Sequence, residues 1–494
     1  NISNPESYVM SETDDSRLGT VFDVDVNAHT ANSGFAILND GREAFVARAG
    51  LADLAEHSID AQYYLWNGDK AGQVLLEKLV AAAQRGVRVR ILIDDTYAIG
   101  SDFEIAALDS LSNMEVRLFN PYAQRHKYAV FRRGFEFFTN LSRLNHRMHN
   151  KVFAVDNKVA IVGGRNIGDE YFGASETFNF RDLDLLAVGP VVGQVSAGFD
   201  QYWNSNWAYP ASALTKKTPS SEDTSVLLEK LRQSSGRYSE LHKLLPTGES
   251  DSVTQLARLR DALIWAPAEV ISDPPSKTEN VDPEAPSVVT ARLADILADT
   301  HTEVLAESAY FVPGRRGVER LNAIAGRGVA VKILTNSLAS TNHAVAHTGY
   351  KRYRKALLAG GVQLFEVQPR ARSRDRYTLD FAGDHSFGLH TKAVVFDRRV
   401  VFVGTLNLDP RSVNLNTEMG LVVYSELLAQ RLAELMDDDM RPENSWQVSL
   451  QDNKLSWTGE QDGQTVVYRS EPESRFGRKL TVFFASLFPI EKQL

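Results

Sequence analysis

Two sets of five residues in this chain have the types and the spacing to do chemistry. The first is His149, Lys151, Asp156, Gly163 and Asn166; the second is His390, Lys392, Asp397, Gly404 and Asn407. The offsets from each histidine are the same, so the sets align without a gap. A histidine can attack an electrophile or carry a proton. A lysine offsets anionic oxygens, and an asparagine adds a neutral donor. Two of each around one point suit a phosphodiester: one histidine attacks phosphorus and the other protonates the leaving oxygen. The lysines take the charge-neutralising part, so no metal and no cofactor are expected. An unperturbed imidazole titrates near pH 6.5, so neither role demands a large shift. The pattern alone leaves open which histidine attacks.

Residues two apart on a strand share a face. Each His-x-Lys is therefore read as one strand presenting an imidazole beside an ammonium. The apolar neighbours Val152, Phe153 and Val155, and Ala393, Val394 and Val395, predict that both strands are buried. Asp156 and Asp397 sit at odd offsets and are expected to pair or cap structurally. Gly163 and Gly404 suit a tight turn with close backbone approach. Each histidine should also have a carboxylate that holds its tautomer. Asp182 and Glu418 are the candidates, with Asp184 competing in the first half.

The elements that must position these residues also repeat. A helical pattern, a glycine and an alternating strand pattern run through Gly86 to Leu92 and again through Gly328 to Leu334. His149 follows Gly86 by 63 residues, and His390 follows Gly328 by 62. Matched elements at matched spacing imply duplication about a pseudo-twofold axis. We therefore read residues 40–265 and 288–474 as two α/β repeats. Residues 1–39 read as an arm or cap. Residues 266–287, with Pro267, Pro274, Pro275, Pro283 and Pro286, read as a linker. Residues 210–225 read as a surface loop, and 475–494 as an amphipathic segment.

Composition narrows the function classes. The 494 residues are 43% hydrophobic and 24% charged, which is globular. The net charge of -9 argues against a nucleic-acid binder that works by charge. There is no cysteine, which excludes disulfides, thiolate zinc sites and a cysteine nucleophile. The first residue is Asn1, and a removed signal peptide or membrane anchor is expected ahead of it.

The paired motif resembles the signature of the phospholipase D superfamily. The longer strings at 145–151, 163–169, 188–192, 335–339 and 414–420 are similar to those of bacterial cardiolipin synthases of the C type. The resemblance runs from about residue 44 to the C-terminal end. It implies two α/β units with mixed sheets packed face to face and one active site between them. It implies His149 as nucleophile and His390 as general acid, then base. The partners it implies are phosphatidylglycerol, phosphatidylethanolamine and cardiolipin, at a bacterial membrane surface. On this reading a phosphatidyl group passes from phosphatidylethanolamine or phosphatidylglycerol to phosphatidylglycerol, giving cardiolipin; no nucleic acid is expected, and a helper protein is allowed. The competing readings are hydrolysis of phospholipid or nucleic acid by the same centre, and a non-catalytic scaffold.

A lipid enzyme must touch a bilayer. Two stretches interleave basic and aromatic residues: 122–147 (Arg125, Arg132, Arg143 with Tyr128, Phe131, Phe137) and 475–490 (Arg475, Arg478, Lys479 with Phe476, Phe483, Phe488). Neither contains an apolar run that approaches the length needed to span a bilayer.

Overall fold

The computed structural model describes residues 4–98, 100–123, 125, 141–278, 287–382 and 386–474, with the backbone alone at 23–25 and 141–142. The basic-aromatic stretch at 126–140 and the whole of 475–494 lie outside the described residues.

The repeated helix, glycine turn and strand are present in both halves. Helix Lys70–Gln84 ends at Gly86 (φ 101°) and leads into strand Arg88–Asp94. Helix Gly314–Gly326 ends at Gly328 (φ 91°) and leads into Ala330–Asn336. Positive φ costs an L side chain energy and glycine little, which places a glycine at each turn.

Each half builds one mixed sheet. The first has nine strands, in the order Ile264–Ala266, Ser33–Leu38, Asp184–Val188, Val159–Gly163, Val152–Val155, Ser58–Tyr63, Arg88–Asp94, Met114–Phe119 and Ala208–Pro210. The second has ten. Its order runs Ala268–Ser272, Met419–Tyr424, Val400–Gly404, Lys392–Phe396, Glu303–Ser308, Ala330–Asn336, Gln363–Val367 and Ser445–Gln451. It then adds a meander, Lys454–Gln461 and Gln464–Tyr468. From Asp184–Val188 and from Met419–Tyr424 outward, seven strands correspond one to one. In each half the motif strand and its return strand form a hairpin. Its tight turn has two central residues of positive φ: Asp156 and Asn157, both 51°, and Asp397 and Arg398, 51° and 53°. The hairpin makes the spacing from histidine to asparagine identical in the two halves.

The sheets share a core. Val152, Ala154, Val162 and Leu185 of one sheet cluster with Leu305, Val395, Val403 and Leu421 of the other, together with the inner faces of helices Pro190–Trp203 and Glu426–Asp439. Val152–Val155 and Asp184–Val188 are buried throughout their length, as sheets covered on both faces require. Each fully buried Leu or Val is worth about 1.5–3 kcal/mol, so the shared core resists separation of the halves.

Three segment readings differ from the structure. Residues 1–39 are not only an arm: Arg17–Ala28 is a helix, and Ser33–Leu38 is an interior strand between Ile264–Ala266 and Asp184–Val188. A short strand covered on both faces lacks the alternation that marks a half-exposed one. Residues 266–287 are not a free linker. Ala268–Ser272 pairs with Met419–Tyr424, so only Pro267 separates the last strand of the first sheet from an edge strand of the second. The Pro267 carbonyl still accepts from the Tyr424 amide at 3.0 Å. Within 210–225, a helix begins at Ser221, started by a capping box between Ser220 and Asp223.

Candidate active site

The structure places both histidines just ahead of their strands. Val152–Val155 begins after Lys151, and Lys392–Phe396 begins at Lys392. The lead-in segments cross to the opposite half. The His149 amide donates to the Thr417 carbonyl at 3.0 Å, and the Thr417 amide donates to the Arg147 carbonyl at 2.9 Å. In the other half Ser386–Leu389 pairs in parallel with Phe178–Arg181, and the His390 amide donates to the Arg181 carbonyl at 2.8 Å. The residues that follow Thr417 and Arg181 are Glu418 and Asp182. Backbone pairing therefore sets each carboxylate beside the histidine of the other half. His149 Nδ1 is 2.9 Å from Glu418 Oε2, and His390 Nδ1 is 2.6 Å from Asp182 Oδ2. A carboxylate only accepts, so each imidazole holds its proton on Nδ1 and leaves Nε2 with a lone pair.

The lysines complete the cluster. Lys151 Nζ donates to the His149 carbonyl at 2.6 Å. Lys392 Nζ donates to the His390 carbonyl and lies 3.1 Å from His390 Nδ1. Charge interactions cross the halves: each lysine acts on both histidines, and both lysines act on Glu418 and Asp182 or each other. His149, Lys151, His390 and Lys392 are all buried, at 7%, 2%, 5% and 1% exposure. Asn166 and Asn407 follow the return strands, whose register with the motif strands puts them at the same end of each sheet. Their Oδ1 atoms are buried and have no hydrogen-bond partner among the described residues.

Asp156 and Asp397 stay away from this cluster. They sit at the far ends of the strands. Asp156 accepts from the amides of Glu56, His57 and Ser58 at 3.1, 2.8 and 2.8 Å. Asp397 accepts from those of His301, Thr302 and Glu303 at 2.9, 2.7 and 3.0 Å. Each carboxylate thus ties the hairpin to the start of the neighbouring strand. Gly163 and Gly404 are strand residues and not turns. A Cβ at Gly163 would stand 2.5 Å from Asp184 Cα, and one at Gly404 2.6 Å from Gly420 Cα. Close strand approach is what requires glycine at both.

Burial governs the electrostatics. It pushes the His149 imidazole down to about 4, against the attraction of Glu418. Burial, with repulsion from Lys392, pushes His390 down to about 3. This exceeds the modest shift expected from the motif, because both rings are removed from water. Both are neutral at pH 7. Burial also lowers Lys151 to about 7 and Lys392 to about 8. Burial by itself would raise Asp182 and Glu418, but their histidine partners, the neighbouring lysines and, at Glu418, the Thr405 hydroxyl together more than offset it and hold both below the usual carboxylate range. A bound phosphodiester would add negative charge beside these groups and so favour the ammonium forms and the imidazolium.

Several contributing residues were not singled out from sequence. Tyr64 packs edge-on against His149 at 5.2 Å, and Tyr171 against His390 at 5.0 Å. Thr405 Oγ1 donates to Glu418 Oε2. At the matching offset in the first half stands Gly164, where a Cβ would lie 2.1 Å from Asp182 Oδ1. The shorter carboxylate is thus matched by a glycine and the longer one by a hydroxyl; comparing position 15 after each histidine is the signal that finds the pair. Asp184, the competitor of Asp182, is held by Arg48 at 2.8 Å and Arg165 at 3.3 Å, away from either histidine. Of the basic residues in 122–147, Arg125 pairs with Asp95 at 2.6 Å, and Arg143 donates to Asn120 at 2.7 Å.

Comparison with known proteins agrees with this arrangement. Residues 51–203 and 293–440 match the family described as "Cardiolipin synthase, PLD-like domain". Cardiolipin synthase C of Escherichia coli K12 is 40% identical over 466 residues, covering 94% of this chain and 96% of its own length. A cardiolipin synthase of Clostridium perfringens SM101 is 25% identical over 85% of this chain and 73% of its own length. Among solved structures, phosphatidylserine synthase of Haemophilus influenzae Rd KW20 superposes with a TM-score of 0.59 at 14% identity, over 97% of this chain and 100% of that one. The last likeness is one of fold. With both repeats matched and a relative similar over nearly its full length, the chain belongs to the cardiolipin synthase family of phospholipase D-like enzymes.

Proposed function

We propose that this protein is a cardiolipin synthase that moves a phosphatidyl group through a phosphohistidine. The observation that carries the reading is the crossed pair of histidine–carboxylate contacts flanked by two buried lysines. In the first step His149 Nε2 attacks the phosphorus of the donor lipid, and the P–O bond to its headgroup breaks. His390, carried to the imidazolium once the anionic lipid is bound, gives its Nε2 proton to the departing oxygen. In the second step the neutral His390 takes the proton of the acceptor's hydroxyl. That oxygen attacks phosphorus, the P–N bond breaks, and His149 is restored. Glu418 and Asp182 hold the tautomers and stabilise the imidazolium forms. Lys151, Lys392, Asn166 and Asn407 stabilise the charge that builds on the equatorial oxygens. The assignment of His149 to attack rests on the family resemblance, since the half-sites are near-symmetric.

The donor in this reading is phosphatidylethanolamine or phosphatidylglycerol, the acceptor is phosphatidylglycerol, and the protein works at a membrane surface. No helix among the described residues is long and apolar enough to cross a membrane, which is compatible with peripheral attachment. The test is lipid product analysis in mixed micelles of phosphatidylglycerol, with and without phosphatidylethanolamine. Cardiolipin is the expected product, and a dependence on phosphatidylethanolamine names the donor. Phosphatidic acid as the sole product would replace transfer by hydrolysis.

A further inference from the structure

Away from the catalytic cluster, the second half carries a groove of about 800 Å³ between helix Ala344–Ala359 and the C-terminal meander. Six cations line it: Lys351, Arg352, Arg354, Lys355, Lys454 and Arg469. Glu471 is the one carboxylate among the lining residues, and Arg354 engages it at 3.0 Å. Lys351, Lys454 and Arg469 are exposed and make no ion pair among the described residues. This concentration of positive charge stands in a chain whose net charge is -9. Its surroundings are rigid. The meander's first turn is locked by Asp452 and Asn453 at positive φ, and Lys355 Nζ reaches across to the Asn453 carbonyl at 2.7 Å. The floor is apolar, with Leu338, Leu455 and the buried Trp457. Cations above an apolar floor suit an amphiphile better than a bare anion.

His343, just before the helix, packs edge-on against Tyr310 at 5.3 Å. Lys351 lies about 10 Å along the helix from Ala344, at 1.5 Å per residue.

We propose that this groove is a second, non-reacting phospholipid site, in which Lys351, Lys454 and Arg469 hold the phosphate of an anionic headgroup and so anchor the enzyme to the membrane. Only the choice of a lipid as ligand rests on the proposed function; the charge and shape of the groove do not. The test uses the full chain and vesicles of phosphatidylcholine, with or without phosphatidylglycerol. Lys351→Ala, Lys454→Ala and Arg469→Ala together should weaken binding to phosphatidylglycerol vesicles by about tenfold or more, from the cost per basic residue near an anionic surface. A control variant with Lys216, Lys230 and Arg232, all exposed elsewhere, changed to Ala should bind as the parent does. Turnover of a monomeric short-chain lipid should stay unchanged in the groove variant, which separates this site from the catalytic one. Equal loss in both variants would reduce the groove to general surface charge and overturn the proposal. Complete displacement of the parent from vesicles by millimolar inorganic phosphate would overturn the lipid assignment in favour of free phosphate. Because binding is read without product formation, failure here leaves the transferase reading standing, and the reverse.

Discussion

At the scale of single residues, the site is two imidazoles made neutral by burial and two lysines held nearby. His149→Ala or His390→Ala should abolish turnover, measured as lipid product by mass spectrometry; retained activity in either would refute the two-histidine mechanism. Lys151→Ala or Lys392→Ala should cost roughly 2–4 kcal/mol in kcat/KM, as loss of one donor to a developing anion does elsewhere. Gly164→Ala should lower activity as well, since its Cβ would stand 2.1 Å from Asp182 Oδ1 and push that carboxylate off His390. The sign of the histidine shifts is also testable. Burial disfavours the imidazolium, so in the free protein NMR should find the His149 ring titrating near 4 and His390 near 3. Adding an anion such as inorganic phosphate should move both upward, because it offsets the repulsion of Lys151 and Lys392. Titration near the ordinary value in the free protein would contradict the electrostatic account.

At the scale of elements, the hairpin after each histidine is the unit that carries the motif. Its strands place Lys and Asn at one end and the aspartate at the other. Asp156 binds three amides of the segment that starts the neighbouring strand Ser58–Tyr63. Asp156→Ala would leave those donors without their acceptor and should destabilise the fold by roughly 2–3 kcal/mol, read from the urea midpoint. Specific activity per folded molecule should change little, because Asp156 does not reach the histidines. A large fall in kcat at unchanged stability would give Asp156 a role in the chemistry instead.

At the scale of the whole molecule, neither half holds a complete histidine–carboxylate pair, so the interface between the halves is itself part of the site. Arg181 shows how that interface is held. It comes from the first half, yet its guanidinium lies buried against Glu307, at 2.9 Å, and Asp439 of the second. Burial pushes the Glu307 carboxyl up, and the Arg181 charge beside it pulls it back down. Arg181→Ala would leave two buried carboxylates without their cation and should cost about 3–5 kcal/mol, seen as a lower Tm. Because Arg181 directly precedes Asp182 and its carbonyl binds the His390 amide, catalysis should fall together with stability.

The sequence by itself determined the duplication, the residue types of the paired motif, Glu418 as the carboxylate candidate of the second half with Asp182 and Asp184 competing in the first, and the mixed α/β class. Those follow from local patterns: strand alternation, glycine turns and the gapless offsets of His149 through Asn166 and His390 through Asn407. It missed Ser33–Leu38 and Ala268–Ser272 as sheet strands, because short strands paired far along the chain carry little local signal. Only the tertiary structure decided which carboxylate serves which histidine. Glu418 reaches His149 across 269 positions of sequence, and Asp182 reaches His390 across 208. That pairing is made by backbone hydrogen bonds between segments of opposite halves, and residue spacing within either half does not encode it. Burial of the imidazoles and lysines was likewise decided only there, since it depends on two sheets closing over charges that each half alone would leave in water.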